Sequence, residues 1–432
     1  MRAGRSGPVR CGGAPGTGAG LMGARRKVVV VERVGYDYLR HRGAPILDPA
    51  RFEVHLIAKG PIVDQARPNE VASTTTVSMN DPAEVAGKTL EVARSRGADA
   101  IVALSERDLL SAALARDKLN LPGPRYAMTH RFRDKLAMKR ALGPWAGAPR
   151  FSEVTTETHA LAMLDEMKGR LVVKPRDGMG TEGVRVISTP EEARAAFASI
   201  GSPEDYEIEE FVDGQLHYVD AVVSGGAVTA HNVSRYEDDT FALMRGVPLV
   251  GYSIDDEPLR RTAKRYVEAV VADLGMEDGV IHLEAFLQPD GSFRFCEIAA
   301  RPGGSAVPAV FEAITGVNLR ARMIGACLGE PDAFAWTDSA PIARLGAMIL
   351  FPSKEGTVVR APTADDFPES WIVRRNIRVA PGQSVSAAAF STDCAASFAV
   401  VADTATELAG RISLVKERFR LETTDPERSA AC

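Results

Sequence analysis

Cysteine is scarce: the 432-residue chain has five, Cys11, Cys296, Cys327, Cys394 and Cys432, and no two form a CxxC pair. That argues against a zinc site or a disulfide framework and for a reducing, cytoplasmic setting. No apolar run approaches the ~18 residues of a membrane span, so no membrane partner is expected. Neither sign of charge dominates. The 52 Lys+Arg and 57 Asp+Glu leave a net charge of −5, which is no footprint for nucleic acid. What is present is the composition of a soluble globular protein, 45% hydrophobic and 25% charged. The length suggests roughly two to four domains, and no internal repeat is evident.

Residues 1–26 are rich in Gly and Arg and poor in large apolar residues, and they read as a disordered tail. The tail has no apolar core for a secretory signal. Its GGAPGTGAG imitates a phosphate loop, without a preceding strand or a following Lys-Ser/Thr. Met22 is a second candidate start.

From there the chain alternates. KVVVVE (27–32), FEVHLIAKG (52–60) and ADAIVAL (98–104) read as strands, with a helix over 81–96. This predicts a parallel α/β domain over 27–122, whose sheet end is a usual place for a small substrate. A helix is expected over 130–143, stopped by Gly143-Pro144. LVVKP (171–175) is a strand carrying one lysine, followed by the glycine-rich loop RDGMGTEGV (176–184) and the strand VRVIS. Glycines at 178, 180 and 183 expose backbone N–H groups and let the chain fold over a ligand. Thr189, Pro190 and Glu192 form a capping box for the next helix. Three antiparallel strands follow (205–212, 216–224, 227–234), then an amphipathic helix over 259–274. Two helices, over 306–316 and 317–330, are expected to pack beneath a hairpin over 279–304, and strands over 343–351, 370–379 and 396–402 with a helix over 404–419 form a compact α+β cap over 333–425.

The stretch GVIHLEAFLQPDGSFRFCEIAARPGG (279–304) reads as a hairpin turning at Pro289-Asp290-Gly291. Glu284 and Glu297 interrupt its apolar runs. Side by side on paired strands they would repel. A divalent cation between them, such as Mg²⁺ sharing oxygen ligands with nucleotide phosphates, removes that cost. Two solvated rim carboxylates are the competing reading of the hairpin taken alone.

The order of these features resembles the ATP-grasp superfamily over about residues 27–425. The matching segments are RDKLAMKRAL, VVKPRDGMGTEGV, EIEEFVDG, IHLEAF and CEIAARPGG. Within it the chain is most similar to carboxylate–amine ligases, including L-amino-acid (dipeptide) ligases, with a biotin-carboxylase-like C-terminal region. The resemblance implies an α/β and α+β fold: a pre-ATP-grasp domain (27–122), an ATP-grasp domain (123–332) with a lid at about 168–225, a C-terminal α+β region (333–425) and a tail (426–432). It implies that Lys135 and Lys174 hold phosphates, that Gly178, Met179, Gly180 and Thr181 close over them, and that Glu209, Glu210, Phe211 and Val212 form the adenine hinge. Glu284 and Glu297 would ligate Mg²⁺, with Mn²⁺ able to stand in. Arg301 would steady the transferred phosphoryl group, with Lys174 also catalytic. Two positions depart from the family pattern. Ala299 replaces an asparagine in Glu-x-Asn-x-Arg, and Leu216 replaces a ribose-binding Glu, for which His217 or Asp220 could substitute. His282 is expected to support Glu284 or to be a satisfied strand histidine. Arg235, Tyr236 and Arg245 lie on a segment that the resemblance places near the acceptor pocket.

The expected activity is ATP-dependent, ADP-forming coupling of a small carboxylic acid, such as an amino acid, to an amine through an acyl phosphate. A homodimer is expected. Carboxylation or small-acid phosphorylation, and non-catalytic ATP binding, are the alternatives. Ala137-Met138-Lys139 imitates a biotin-carrier lysine but lies inside the linker helix.

Overall fold

In the computed structural model, residues 24–153, 156–167 and 169–424 are described. Most of the expected N-terminal tail and all of the C-terminal one lie outside them. Strands β1 (Arg26–Glu32), β2 (Phe52–Ala58), β3 (Ser73–Thr76) and β4 (Ala100–Ala103) form a parallel sheet in the order β3-β2-β1-β4. Val28 to Val31 are fully buried, as an unbroken β-branched run requires when both sheet faces are covered. The helix Pro82–Arg96 crosses back over the sheet, its first turn capped by the Asp81 carboxylate. The loops leaving the carboxyl ends of β1 and β4 bring Val34, Tyr38 and Leu104 to Glu106 into the cleft described below.

The single helix expected over 130–143 is two, Tyr126–Arg131 and Lys135–Ala141. Asp134 makes the break. Its carboxylate accepts the Ala137 N–H at 2.8 Å and the Arg176 guanidinium at 2.6 and 2.9 Å, which favours a cap over a helical interior.

A second unit is the antiparallel sheet of β5 (Phe151–Glu153), β6 (Leu171–Pro175), β7 (Arg185–Ile187) and β8 (Tyr206–Glu210), ordered β5-β8-β6-β7. Leu171, Val173 and Ile208 pack against helices Glu157–Met167 and Pro190–Ser199. Strand alternation then sends Val172, Lys174, Glu207 and Glu209 to the opposite face. The capping box at Thr189 and Glu192 forms as expected.

The largest sheet has eight strands: β9 (Gln215–Ser224), β10 (Ala227–Tyr236), β11 (Leu249–Ser253), β12 (Gly279–Leu287), β13 (Phe293–Ala299), β14 (Leu345–Pro352), β15 (Ile372–Ile377) and β16 (Cys394–Ala402). Their order is β13-β12-β9-β10-β11-β14-β16-β15. Helix Glu257–Leu274 covers part of it with Ala263, Val267, Val270, Val271 and Leu274. The strands of the C-terminal α+β cap join the central sheet. The pairing of β11 with β14 continues the central sheet through them, with Val250 opposite Ile349.

Candidate active site

The cleft lies where the three units meet and has a volume of about 550 Å³. Its floor is the β12–β13 hairpin. Glu284 and Glu297 are direct cross-strand partners, beside a bulge at Glu284/Ala285, so both side chains leave the same face. Both line the cleft.

Each carboxylate is held differently. Glu284 accepts a hydrogen bond from the Tyr236 hydroxyl at 2.9 Å, and the Nε2 of His282 stands 3.7 Å away. The other ring nitrogen of His282 meets Asp220 Oδ1 at 2.9 Å, and Asp220 also accepts the Gly303 N–H at 3.2 Å. Burial opposes charge on His282, but Asp220 and then Glu284 outweigh it and raise its pKa to about 10. The two carboxylates on either side thus favour the protonated ring. Glu297 is bridged to Lys135 Nζ at 3.1 Å. Burial works against its ionisation, yet Lys135, Lys174 and Arg301 bring its pKa down to about 2.

These donors suit a hard cation. Mg²⁺ is commonly bound by one or two protein carboxylates and completes its shell with water and phosphate oxygens. Among the described residues no group of three or more His, Cys, Asp or Glu is placed to hold a metal. The protein thus offers two carboxylates, in keeping with alanine at 299.

Strand β6 and the helix Lys135–Ala141 supply the cations. Lys174 and Glu207 are cross-strand partners on β6 and β8. Lys174 Nζ lies 2.6 Å from Glu209 and 3.6 Å from Glu207. Lys139 reaches the same pair from the linker helix, contacting Glu207 and standing 2.6 Å from Glu209. Two lysines and two glutamates thus form a neutral buried cluster. Burial lowers the pKa of Lys174, but Glu209 leads the neighbouring charges that hold it well above the ordinary lysine range.

The glycine-rich loop is drawn down over the cleft. Lys135 Nζ donates to Gly178 O at 2.9 Å. The Ser391 N–H donates to Gly180 O at 2.9 Å and to Thr181 Oγ1 at 3.2 Å. Gly180 and Thr181 have φ of 62° and 67°, a conformation that a β-branched residue adopts only when its surroundings impose it.

The structure brings together Lys135, Lys174, Gly178, Met179, Gly180, Thr181, Glu209, Glu210, Phe211, Val212, Glu284, Glu297 and Arg301, all lining one cleft. His217, expected among the nucleotide contacts, is not there. It is buried elsewhere, its Nδ1 2.8 Å from Gln215 O and its ring edge-on to Phe293, while Leu216 faces the cleft. Of the expected acceptor segment, Tyr236 lines the cleft, Arg235 stacks on Tyr252, and Arg245 pairs with Asp238 and Asp239 at the surface. Arg301 is not free. Its guanidinium binds the Glu106 carboxylate, with Nε at 2.7 Å, and Arg133 binds the other oxygen of Glu106. Burial raises the pKa of Glu106, but Arg301 and Arg133 outweigh it and leave the carboxyl below its ordinary value. Glu207, Glu106, Arg133 and Ser391 were not singled out from the sequence, and Lys139 was singled out only for its likeness to a biotin-carrier lysine. Glu106 had a positional signal, since it follows the carboxyl end of a parallel strand.

Comparison with proteins of curated function found no match. Among solved structures, the chain is similar to an L-amino acid ligase from Bacillus licheniformis, at 18% identity and a TM-score of 0.72, covering 93% of this chain and 99% of that one. It is similar to phosphoribosylglycinamide synthetase from Anaerococcus prevotii, at 18% identity and a TM-score of 0.65, covering 93% and 100%. It is also similar to the biotin carboxylase domain of Hydrogenobacter thermophilus 2-oxoglutarate carboxylase, a dimer in complex with MgADP, ADP and bicarbonate. There the identity is 17% and the TM-score 0.68, covering 92% and 90%. At such identities these likenesses speak for the fold. A family model described as the ATP-grasp domain matches residues 167–309, which hold strands β6 to β8, the glycine-rich loop and the carboxylate hairpin. Residues 167–309 thus carry an ATP-grasp domain, set in a chain whose fold is that of these three structures.

Proposed function

We propose that this protein is an ATP- and Mg²⁺-dependent, ADP-forming ligase that activates a small carboxylic acid, an amino acid or close relative, and couples it to an amine. The observation that carries this reading is the facing pair Glu284 and Glu297 on a cleft floor walled by Lys135, Lys174 and Arg301. Magnesium, when bound there, offsets phosphate charge as it does in phosphoryl transfer generally. The chain's own residues do the rest. Lys135 and Lys174 hold the phosphates, and backbone groups of the Glu209–Val212 segment read the adenine. Arg301, oriented by Glu106, steadies the transferring group. A carboxylate oxygen of the acid attacks the γ-phosphorus and ADP leaves. The amine nitrogen then attacks the acyl carbon, phosphate departs and the amine loses a proton. The loop at 178–181 keeps water from the acyl phosphate in between.

The fold likeness to an L-amino acid ligase supports this substrate class, and the dimeric carboxylase domain supports a homodimer. A reducing, cytoplasmic setting is supported by Cys296, Cys327 and Cys394, all free thiols. No helix among the described residues is long and apolar enough to cross a membrane.

The test is incubation with ATP, Mg²⁺ and pooled amino acids, with ADP release and product masses followed together. Amide products with stoichiometric ADP are expected. ADP without an amide would redirect the reading to carboxylation or small-acid phosphorylation. ATP-dependent thermal stabilisation without turnover would leave only nucleotide binding.

A further inference from the structure

Among the described residues, five lysines and arginines line the cleft: Lys135, Lys174, Arg301, Arg320 and Arg378. The first three are each bound to a carboxylate, of Glu297, Glu209 and Glu106. The guanidinium groups of Arg320 and Arg378 make no ion pair and no hydrogen bond. Arg320 instead lies over the ring of Tyr38, 5.0 Å from its centre. It is the second residue of helix Leu319–Leu328, at the end where the helix dipole disfavours a cation. Arg374 adds a like charge nearby, its Nε buried with no partner.

The acids within electrostatic reach are committed elsewhere. Glu32 accepts the N–H groups of Val34 at 2.6 Å and Gly35 at 3.1 Å, and burial raises its pKa to about 7. Glu312 is taken by His41 at 2.9 Å, Asn318 at 2.9 Å and Arg42 at 3.4 Å. Asp393, which also lines the cleft, accepts the Ala389 N–H at 3.0 Å and makes no ion pair with Arg378. Arg320 is half-buried, and such a guanidinium without a counter-charge is costly unless a ligand supplies one; Arg378 is exposed on the cleft wall, open to a ligand. Their planar forks match a carboxylate in geometry.

We propose that Arg320 and Arg378 form an anion subsite of the substrate cleft, taking a carboxylate other than the one that is activated. It is assembled from three parts of the chain: Tyr38 after β1, Arg320 on a core helix, and Arg378 just past β15. In its chemical assignment the subsite rests on the ligase reading. The anionic group is either the second carboxylate of a dicarboxylic acid or the α-carboxylate of an amino-acid amine.

Two substrate arms separate these sources. In one, a dicarboxylic acid is compared with its monoamide against an amine lacking a carboxylate. In the other, an amino acid is compared with its amino amide against a monocarboxylic acid. In one arm the neutral analogue should raise KM roughly 10-fold to 100-fold, the range of a hydrogen bond to a charged group. Arg320→Gln should erase that preference, Arg320→Lys should restore part of it, and kcat should change less than KM. A third arm needs no turnover: calorimetric titration of succinate and of succinamate, with MgADP present, into the wild type and Arg320→Gln. Succinate binding that disappears in Arg320→Gln supports the subsite even if no amide is ever formed, a result that would sink only the ligase reading. Equal KM for charged and neutral analogues in both arms overturns the subsite and leaves the ligase standing. So does an Arg320→Gln protein of wild-type melting temperature whose KM values and succinate binding are unchanged.

Discussion

Replacing Lys139 with methionine should damage both the β5–β8 sheet and the proposed nucleotide site, although Lys139 does not line the cleft. Its side chain is 0% exposed, as is that of Glu207, while Lys174 and Glu209 are 6% and 8% exposed. Removing one cation leaves two buried carboxylates sharing Lys174. Breaking a buried pair by deleting one partner costs about 3–5 kcal/mol. At about 2–4 °C per kcal/mol for a domain of this general size, the melting temperature should fall by roughly 6–20 °C. The surviving Lys174 would be drawn further toward Glu207 and Glu209, away from a phosphate, so ATP should bind more weakly. The pH dependence has a definite sign. Burial raises the pKa of Glu209, but Lys139 and Lys174 outweigh it and leave it lowered in the folded protein. A carboxylate with a lowered folded pKa contributes stability that is present above its unfolded pKa and lost as pH falls through the folded one. The deficit of Lys139→Met should thus be largest near neutral pH and shrink below the ordinary carboxyl range. Adding Glu207→Leu should recover part of the loss, because a buried pair replaced on both sides by apolar groups is often close to neutral. Thermal unfolding from pH 4 to 8 with ATP titrations on the same samples measures all of this. A loss below about 1 kcal/mol at pH 7, the level of a surface pair, with unchanged ATP affinity would refute the reasoning.

Glu106→Gln should lower kcat/KM by at least about tenfold, since Arg301 and Arg133 lose the carboxylate that fixes them; steady-state rates alongside thermal melts would check that the fold survives. Gly316→Ala should destabilise the protein by more than about 2 kcal/mol, through overpacking and backbone strain. Its φ is +78°, and an added Cβ would stand 1.8 Å from Ser339 O, a backbone atom. Denaturant unfolding would show it.

The hairpin at 279–304 was legible because two apolar runs flank a Pro-Asp-Gly turn, and its carboxylates stood out as charges inside strands. The lid strand at 171–175 was legible for the same reason. The helix at 259–274 needed only its periodicity. Asp134 was harder, since a capping aspartate and a helical one look alike until Arg176 is found beside it. The buried cluster had a local trace. Glu207 and Glu209 alternate onto one strand face, and Lys135 and Lys139 are four apart on a helix. The partnership between them depends on packing across 68 residues of sequence. Glu106 and Arg301 are 195 residues apart and meet only because the N-terminal sheet end faces the hairpin. The continuation of the core sheet into the C-terminal strands was likewise hidden, because strand neighbours are set by pairing rather than by chain order. Leu216 faces the cleft and His217 does not because alternation along β9 exposes one to it and hides the other.

The most direct test of the central claim is a Mg²⁺ titration of ATP affinity by calorimetry, with the wild type and Glu297→Ala in parallel. Mg²⁺ should tighten ATP binding to the wild type and do little for the variant. Equal tightening in both would mean that the facing glutamates do not hold the metal–nucleotide complex.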